Sequence, residues 1–127
     1  MGKKPLLALA ILATAALTAA GSAFSHTSST PTLKGVVGPG YSIKLTKGGK
    51  KIESLKAGTY KFVISDRSNF HNFTVEREKG GPKIEKTLTG TSFQGKKTVT
   101  VTLKTGSWKF YCSIHEPQMF GFFKVTS

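Results

Sequence analysis

The sequence predicts an all-β domain of about six to eight short strands, folded as a sandwich or a barrel. Alternation is clearest in KTVTVTLK, where Val99, Val101 and Leu103 share one face and threonines occupy the other. Glycine pairs and Gly-Pro steps separate this segment from others like it. After the N-terminal segment, no stretch has an apolar helical period long enough to predict a helix.

The first 23 residues have the order of a secretory signal peptide. Two lysines precede an apolar run from Leu6 to about Ala16, and the small residues Gly21-Ser22-Ala23 follow. The rival interpretation is an uncleaved membrane anchor, but the apolar segment is shorter than the roughly 20 residues that span a bilayer. We therefore expect cleavage after Ala23, export to the periplasm or the cell exterior, and no stable membrane span afterwards.

Residues 24–31 are mostly polar and predict a flexible leader, and residues 32–127 predict one domain. The formal net charge of the whole chain is +13, and loss of the two N-terminal lysines would lower it by two, to +11. The simpler interpretation of the other lysines is a solvated surface that resists aggregation, and the sharper one is steering towards an acidic partner. Export and the lack of an aromatic-basic stacking motif argue against nucleic-acid binding.

Strands are expected, in chain order, at YSIKL, GTYKFVIS, NFTVE, KTVTVTLK, SWKFYC and GFFKVT. In the second of these segments, Tyr60, Phe62 and Ile64 share one face, which predicts that this face is buried. In the last segment, one of Phe122 and Phe123 is expected in the core. Short strands of this kind, bounded by turn residues, supply the layers of a β-sandwich.

The stretch FYCSIHEPQMFG, residues 110–121, contains the only cysteine of the chain, Cys112. A single cysteine forms no internal disulfide, and an unoccupied thiol is a liability in an oxidising compartment. Because Trp108, Phe110 and Cys112 share one strand parity, a buried thiol at a strand end is expected. A nucleophilic cysteine with a histidine base is one alternative, but catalytic thiols commonly begin a helix. A buried free cysteine is the other.

One thiolate, two imidazoles and one thioether are available from the side chains of Cys112, His71, His115 and Met119. Structural zinc usually takes several cysteines, so this set does not favour it. A thiolate and two imidazoles in a plane, with a long axial methionine bond, form the blue-copper electron-transfer arrangement. His71 follows a strand, where a loop can present it to the same end of the domain, whereas His26 lies in the polar leader and is given no role.

Three segments together resemble the cupredoxins, in particular their small plastocyanin-, pseudoazurin- and amicyanin-like domains: SDRSNFHNF, the final Cys-x-x-His-x-x-x-Met and the closing Gly-x-Phe-x-Val. The resemblance extends from about Thr32 to the C-terminus. It implies a cupredoxin-like Greek-key β-sandwich that binds one type 1 copper ion at one end. It also implies an electron carrier and not an enzyme, because the chain lacks the further histidines of a catalytic copper centre.

The resemblance implies that the copper ligands are His71, Cys112, His115 and Met119, with His71 buried and His115 near the surface. The three-residue spacer between His115 and Met119 departs from the family. Plastocyanin-like members usually have one residue more there, and amicyanin-like members one fewer. Spacer length sets how closely the thioether approaches the metal, so the alternative axial contact is a backbone carbonyl near Phe70.

Supporting roles follow from the same resemblance. Asn72 and Ser113 match family positions that join the two ligand loops and hydrogen-bond around the copper-bound sulfur. A redox partner protein, acidic if the lysines steer it, would dock on an apolar patch near the exposed histidine. The patch would consist of Pro39, Phe70, Pro117 and Phe120. The chain itself is expected to be a monomer.

Two other functions stay open at this point. The first is a copper-binding module that sequesters or delivers the ion without redox turnover. Delivery sites usually expose several methionines or histidines in flexible runs, whereas this chain has one methionine besides the initiator. The carrier is therefore favoured. The second is a metal-free Ig-like binding domain that has only the sandwich in common with the cupredoxins.

Overall fold

The computed structural model of the chain describes residues 2–3, 5, 15–24 and 27–127. Most of the predicted apolar run from Leu6 to Ala16, and also His26, lie outside the described residues. The signal peptide of residues 1–23 and the leader of residues 24–31 therefore stay predictions. Within the described ranges, no helix is long and apolar enough to cross a membrane.

The predicted all-β fold is confirmed, because ten strands form two five-stranded sheets that pack as a sandwich. The part of the chain that the structure describes contains no helix. The strands are β1 (Thr32–Val37), β2 (Ile43–Lys47), β3 (Lys50–Lys51), β4 (Ser54–Lys56), β5 (Gly58–Asp66), β6 (Phe73–Lys79), β7 (Ile84–Thr89), β8 (Gly95–Leu103), β9 (Gly106–Tyr111) and β10 (Phe120–Thr126).

The two sheets have crossed connections. Sheet A has the order β3-β2-β1-β5-β8, and sheet B has the order β4-β10-β9-β6-β7. β1 pairs with β5, and β4 with β10, in parallel, whereas the other pairs among the described strands are antiparallel. Because sheet neighbours are often distant in the chain, the chain passes repeatedly between the sheets, as it does in Greek-key sandwiches. The barrel alternative is excluded, since the sheets are separate.

Four of the ten strands were not predicted from the sequence: β1, β3, β4 and β7. β3 and β4 contain two and three residues, which is too short for alternation to be recognised. β7 is an edge strand with charged side chains. β1 contains Gly35, whose Cα faces the core: a Cβ there would lie 2.5 Å from Cδ1 of Ile64 and 2.8 Å from Cε2 of Phe73. Close packing therefore requires a glycine at this position. The same glycine interrupts the apolar alternation from which β1 could have been predicted.

The hydrophobic core lies between the sheets. Tyr60, Phe62 and Ile64 of β5 are buried in it, as their alternation predicts. In β10, the side chain that enters the core is that of Phe123, which is 2% exposed. Phe122 is 55% exposed and faces solvent. The period-two rule therefore holds in both sheets.

One end of the sandwich collects the segments that carry the predicted ligands. β5 and β6 are joined by residues 67–72, and β9 and β10 by residues 112–119. Thr74 of β6 and Phe120 of β10 both pair with Tyr111 of β9. The loop of residues 67–72 therefore ends next to the point where the loop of residues 112–119 begins, at the same end of sheet B.

Candidate metal centre

The loop of residues 112–119 is closed on itself by backbone hydrogen bonds. The amide of Cys112 donates to the carbonyl of Met119, and the amide of His115 donates to the carbonyl of Cys112, both at 3.1 Å. The amides of Gln118 and Met119 donate to the carbonyl of His115 at 3.0 and 2.9 Å. These bonds form consecutive turns, so the three-residue spacer is long enough to return Met119 to the side of Cys112.

The loop of residues 67–72 presents His71 through hydrogen bonds made by short polar side chains. The carboxylate Oδ1 of Asp66 accepts from the amide of Ser68 at 3.2 Å, and Oγ of Ser68 accepts from the amide of Phe70 at 3.4 Å. Such bonds compete with the sheet ladder and favour a turn. The strand therefore ends at Asp66, and the His71 side chain is fully buried between the loops.

Three donor atoms converge between these loops. Nδ1 of His71 lies 3.0 Å from Nδ1 of His115, and Sγ of Cys112 lies 3.7 Å from the first nitrogen and 3.8 Å from the second. A triangle with these sides has a centre about 2 Å from every corner. Imidazole nitrogens and thiolates bind a zinc ion at about 2.0–2.1 Å and about 2.3 Å, respectively. The three residues therefore fit a single metal ion in their plane.

The chemistry of the donors favours copper over structural zinc. Structural zinc sites are closed by four ligands and usually contain several cysteines, whereas this chain has one. A trigonal set of one thiolate and two imidazoles is the type 1 copper arrangement. Cys112 and His71 are buried and His115 is partly exposed, so the centre lies just beneath the surface. The cluster fits a type 1 copper ion.

Asn72 connects the two loops around the sulfur. Its backbone amide donates to Sγ of Cys112 at 3.5 Å. Its side-chain Nδ2 donates to Oγ of Ser113 at 2.7 Å, and its Oδ1 accepts from the amide of Ser113 at 2.8 Å. The structure thus brings together the two residues that the sequence pattern paired. A hydrogen bond of this kind orients the side chain that would bind the metal.

The expected docking patch is exposed at all four positions, Pro39, Phe70, Pro117 and Phe120. The ring of Phe70 lies against both histidines, with centroid distances of 4.1 Å to His71 and 6.1 Å to His115. The ring of Phe120 instead packs against Phe122, at 5.5 Å, on the outer face of β10. The structure therefore places Phe70 at the histidines and Phe120 beside a second exposed aromatic ring.

The sequence reasoning missed Tyr41, which lies in the loop between β1 and β2. Its ring meets the imidazoles edge-on, with centroid distances of 5.6 Å to His71 and 5.0 Å to His115, and the residue is 62% exposed. The available signal was an aromatic residue directly after the Gly38-Pro39-Gly40 turn. Tyr41 and Phe70 together cover the histidines from the solvent side.

Asp66 is a buried carboxylic acid at the start of the His71 loop and is 2% exposed. Burial raises the pKa of Asp66 above its ordinary value, and hydrogen bonds from Thr89 and Ser68 and the charge of His71 oppose this change only in part. Among the described residues, neither Oδ2 of Asp66 nor Nε2 of His71 has a hydrogen-bond partner. The fold therefore favours the protonated form of this acid.

Replacing Asp66 with asparagine should change how the stability of the metal-free protein depends on pH. A raised pKa means that, from about pH 4 upwards, the folded state binds more protons at this site than the unfolded state, so stability falls as pH rises through the folded pKa. The variant lacks this loss, and its free energy of unfolding relative to wild type should increase with pH. Denaturant titrations between about pH 4 and 7 measure the difference. A difference that stays constant over this pH range would contradict the assignment.

No protein-family model matches the sequence, and no curated protein matches it. Solved structures do match the fold. The copper protein rusticyanin superposes with a TM-score of 0.51 at 21% identity, over 77% of this chain and 80% of that chain. Auracyanin A, a "blue" copper protein from Chloroflexus aurantiacus, superposes with a TM-score of 0.53 at 16% identity, over 77% of this chain and 100% of that chain. The expected cupredoxin fold is confirmed.

A copper-containing nitrite reductase from Thermus scotoductus SA-01 matches as well, with a TM-score of 0.50 at 20% identity. The match covers 77% of this chain but 22% of that chain. The same fold therefore occurs as a small part of a much larger enzyme. Because fold does not determine function, the choice between carrier and enzyme depends on the site itself.

Proposed function

We propose that this chain is an exported type 1 copper protein that carries single electrons between redox partners. The observation that supports this function most is the triangle formed by Nδ1 of His71, Nδ1 of His115 and Sγ of Cys112, whose sides are 3.0, 3.7 and 3.8 Å. A copper ion bound there would supply a one-electron Cu(I)/Cu(II) couple. The two loops around that site hold the three donors and leave His115 partly exposed.

In this proposal the three donors of the triangle would be the strong ligands of the copper ion, and the thioether of Met119 would be a weaker fourth ligand. Met119 is fully buried, and its carbonyl accepts the amide of Cys112 at 3.1 Å, so the residue lies next to the sulfur ligand. A thiolate and a thioether favour the reduced ion, and imidazoles bind both oxidation states. The set is therefore suited to cycling between them.

Ligands that move little between two oxidation states lower the barrier to electron transfer, and this chain supports them firmly. His71 is fully buried. Cys112 lies in a loop that hydrogen bonds close at both ends, and its sulfur accepts the amide of Asn72 at 3.5 Å. Hydrogen bonds of this kind orient metal ligands and tune the redox potential of a site. The bonds between Asn72 and Ser113 hold the two loops in register.

Electrons would enter and leave through His115, the partly exposed ligand. Pro39, Phe70 and Pro117 are exposed and belong to the proposed docking patch. We add Tyr41 to this patch, because its ring lies 5.0 Å from the ring of His115. An apolar patch around the exposed ligand would bring a partner's redox centre within short range and allow a weak, fast encounter.

We also propose that the chain is not an enzyme. The chain contains three histidines, of which His71 and His115 belong to the triangle and His26 lies outside the described residues. A catalytic copper centre needs further histidine ligands and a vacant position for substrate. Turnover of nitrite or oxygen by the copper-loaded protein, at a rate above that of free copper, would refute this part of the proposal.

Loading the protein with copper tests the proposed function. The expected results are an intense thiolate-to-copper absorption band in the visible region, a type 1 EPR signal, and reversible one-electron reduction over many cycles. Loose binding of copper without a visible absorption band would refute the proposed electron-carrier function. The alternative module for sequestration or delivery predicts tight binding of Cu(I) that a chelator or acceptor protein removes, without reversible redox cycling.

Export is part of the same proposal, with the signal peptide at residues 1–23, the leader at residues 24–31 and the domain at residues 32–127. The first strand of the described structure begins at Thr32, which agrees with that domain boundary. Expression in a bacterium followed by mass spectrometry of the periplasmic fraction tests the cleavage. Recovery of the full-length mass from the cytoplasm alone would overturn the export proposal.

Replacing Met119 with glutamine should lower the reduction potential if Met119 is the axial ligand. An amide oxygen is a harder donor than a thioether and stabilises Cu(II) relative to Cu(I). A tenfold change in relative affinity corresponds to about 59 mV for one electron, so a decrease of at least that order is expected in voltammetry. Met119→Leu is the control, because it removes the donor without adding oxygen. Equal potentials in all three proteins would favour the carbonyl near Phe70 as the axial contact.

Salt should slow the encounter with an acidic redox partner. The formal charge of +13, or +11 after cleavage, produces a long-range attraction that ions screen within about 8–10 Å at physiological ionic strength. Stopped-flow association with an acidic redox protein should therefore become at least about tenfold slower between low and high salt. An association rate that does not change with salt would remove the steering proposal and leave the lysines as a solvated surface.

A further inference from the structure

The outer face of sheet A carries lysines from four adjacent strands. In β5, Tyr60, Phe62 and Ile64 point into the core, so Lys61 points outward. The register of the sheet extends this outward face to Lys34 of β1, Lys44 of β2 and Lys96 of β8. All four are exposed. We call them the lysine face.

The register spreads the four charges over the sheet. Lys44 and Lys96 lie at opposite edges of one cross-strand row, and Lys34 and Lys61 lie in the next two rows. Neighbouring strands are about 4.8 Å apart, so the four strands span about 14 Å. Lys34 is one strand and one row away from both Lys44 and Lys61, a separation of about 8 Å, which matches the screening length of about 8 Å at physiological salt, so neighbouring charges act together on anything that touches the face.

The strands of sheet A carry no acidic side chain on their outer face. The one acid within the strands of sheet A is Asp66, which is buried. Glu76, Glu78 and Glu85 lie in β6 and β7 of sheet B. The ion pairs seen among the described residues join Lys83 and Lys109 to acids of that side, and none involves the lysine face. Of the two sheets, sheet A therefore carries more positive charge that no acid in its strands offsets.

The residues between the lysines indicate what kind of anionic partner fits. The other outward positions of β2, β1, β5 and β8 are threonine, serine and valine, with neither an aromatic residue nor an arginine. Protein interfaces are depleted in lysine and depend on aromatic and arginine anchors. Single-stranded nucleic acid requires aromatic platforms. A flat face of mobile ammonium groups instead suits a fluid anionic surface, to which clusters of about four to eight basic residues bind.

We propose that the lysine face binds the surface of an anionic lipid bilayer. Each lysine near such a surface strengthens binding by about fivefold, so four act as an electrostatic anchor that salt releases. The row of Lys44 and Lys96 is the one nearest the end of β5, where the His71 loop begins. The metal centre would therefore lie at the edge of the bound face, open to a partner that diffuses along the same membrane. This binding does not depend on the proposed electron transfer.

Vesicle sedimentation of the full chain tests the proposal, with phosphatidylglycerol and phosphatidylcholine in equal parts as the anionic probe. The double variant Lys34→Gln/Lys61→Gln should bind these vesicles about 30-fold more weakly than wild type. The matched control Lys86→Gln/Lys124→Gln removes two exposed lysines from sheet B and should lose less than about threefold. Pure phosphatidylcholine vesicles report what the N-terminal segment contributes by itself.

Equal losses in the two double variants would overturn the proposal, because net charge and not the face would then govern binding. Unchanged vesicle binding by Lys34→Gln/Lys61→Gln, together with slower association with an acidic protein, would overturn it in favour of a protein partner. Far-UV circular dichroism and the unfolding midpoint of both variants should match wild type. The copper spectrum should also be unchanged, so failure of lipid binding and failure of the proposed redox function are distinguishable.

Discussion

Replacing Cys112 with alanine should abolish the intense visible absorption of the copper-loaded protein and its retention of copper. The sulfur is the one thiolate of the chain and lies 3.7 and 3.8 Å from the two imidazole nitrogens. Without it, no thiolate-to-copper charge transfer is possible. Loss of a hydrogen bond that supports a metal ligand already weakens affinity by about 10–100-fold, so loss of a primary ligand should exceed that range.

Copper titration with a competing chelator, followed by visible spectroscopy, measures both effects. Ser113→Ala is the matched control, because it alters the neighbouring residue and one hydrogen bond to Asn72 but leaves all ligands in place. The control should keep the band and lose affinity within the range of about 10–100-fold. If the Cys112→Ala protein kept the band, the copper would be bound elsewhere and the proposed site would be wrong.

Replacing Phe123 with alanine should destabilise the domain by about 3–5 kcal/mol. The side chain is 2% exposed in the core between the sheets, and its ring stacks 6.2 Å from that of Trp108. Truncation removes buried apolar surface and leaves a cavity that rigid strands cannot fill. A domain of this size has about 5–15 kcal/mol of total stability, so a large share would be lost.

The adjacent residue supplies a matched control in the same strand. Phe122 is 55% exposed, and its truncation to alanine should change stability by less than about 1 kcal/mol. Urea denaturation of the two variants, followed by the fluorescence of Trp108, gives both values. Similar losses in the two variants would mean that β10 does not place its alternate side chains in core and solvent as described.

The sequence was sufficient to predict the sandwich because most strands follow the period-two pattern. In β5, buried side chains alternate with more exposed ones from Tyr60 to Asp66. The period-two pattern does not predict a strand when contacts with neighbouring strands, and not its own sequence, determine its conformation. β3 and β4 are held by neighbouring strands rather than by their own two or three residues. In β1, Gly35 faces the core because Ile64 and Phe73 fill the space that a side chain would need.

Candidate metal-binding residues could be identified from sequence because few side chains of the chain have the required chemistry. Two of them, His115 and Cys112, are three positions apart and share a loop. His71 lies 44 positions from His115, and the pairing of β6 with β9 brings them together. Tyr41 was missed because an exposed tyrosine carries no metal-binding signature. Its place against the histidines depends on how the β1–β2 loop folds over the end of the sandwich.

The closed loop of residues 112–119 has a consequence for how such a site can diversify. The amide of Cys112 and the carbonyl of Met119 meet at the neck of the loop, while Glu116, Pro117 and Gln118 lie on its far side. The hydrogen bond at the neck, from which both strands leave, involves none of these three residues. In the proposed site, a change of this spacer would therefore alter the position of Met119 more than it alters the folding stability of the sandwich. In the proposed carrier, variation of this spacer would adapt the metal centre to electron donors of different potential while the same sandwich is preserved.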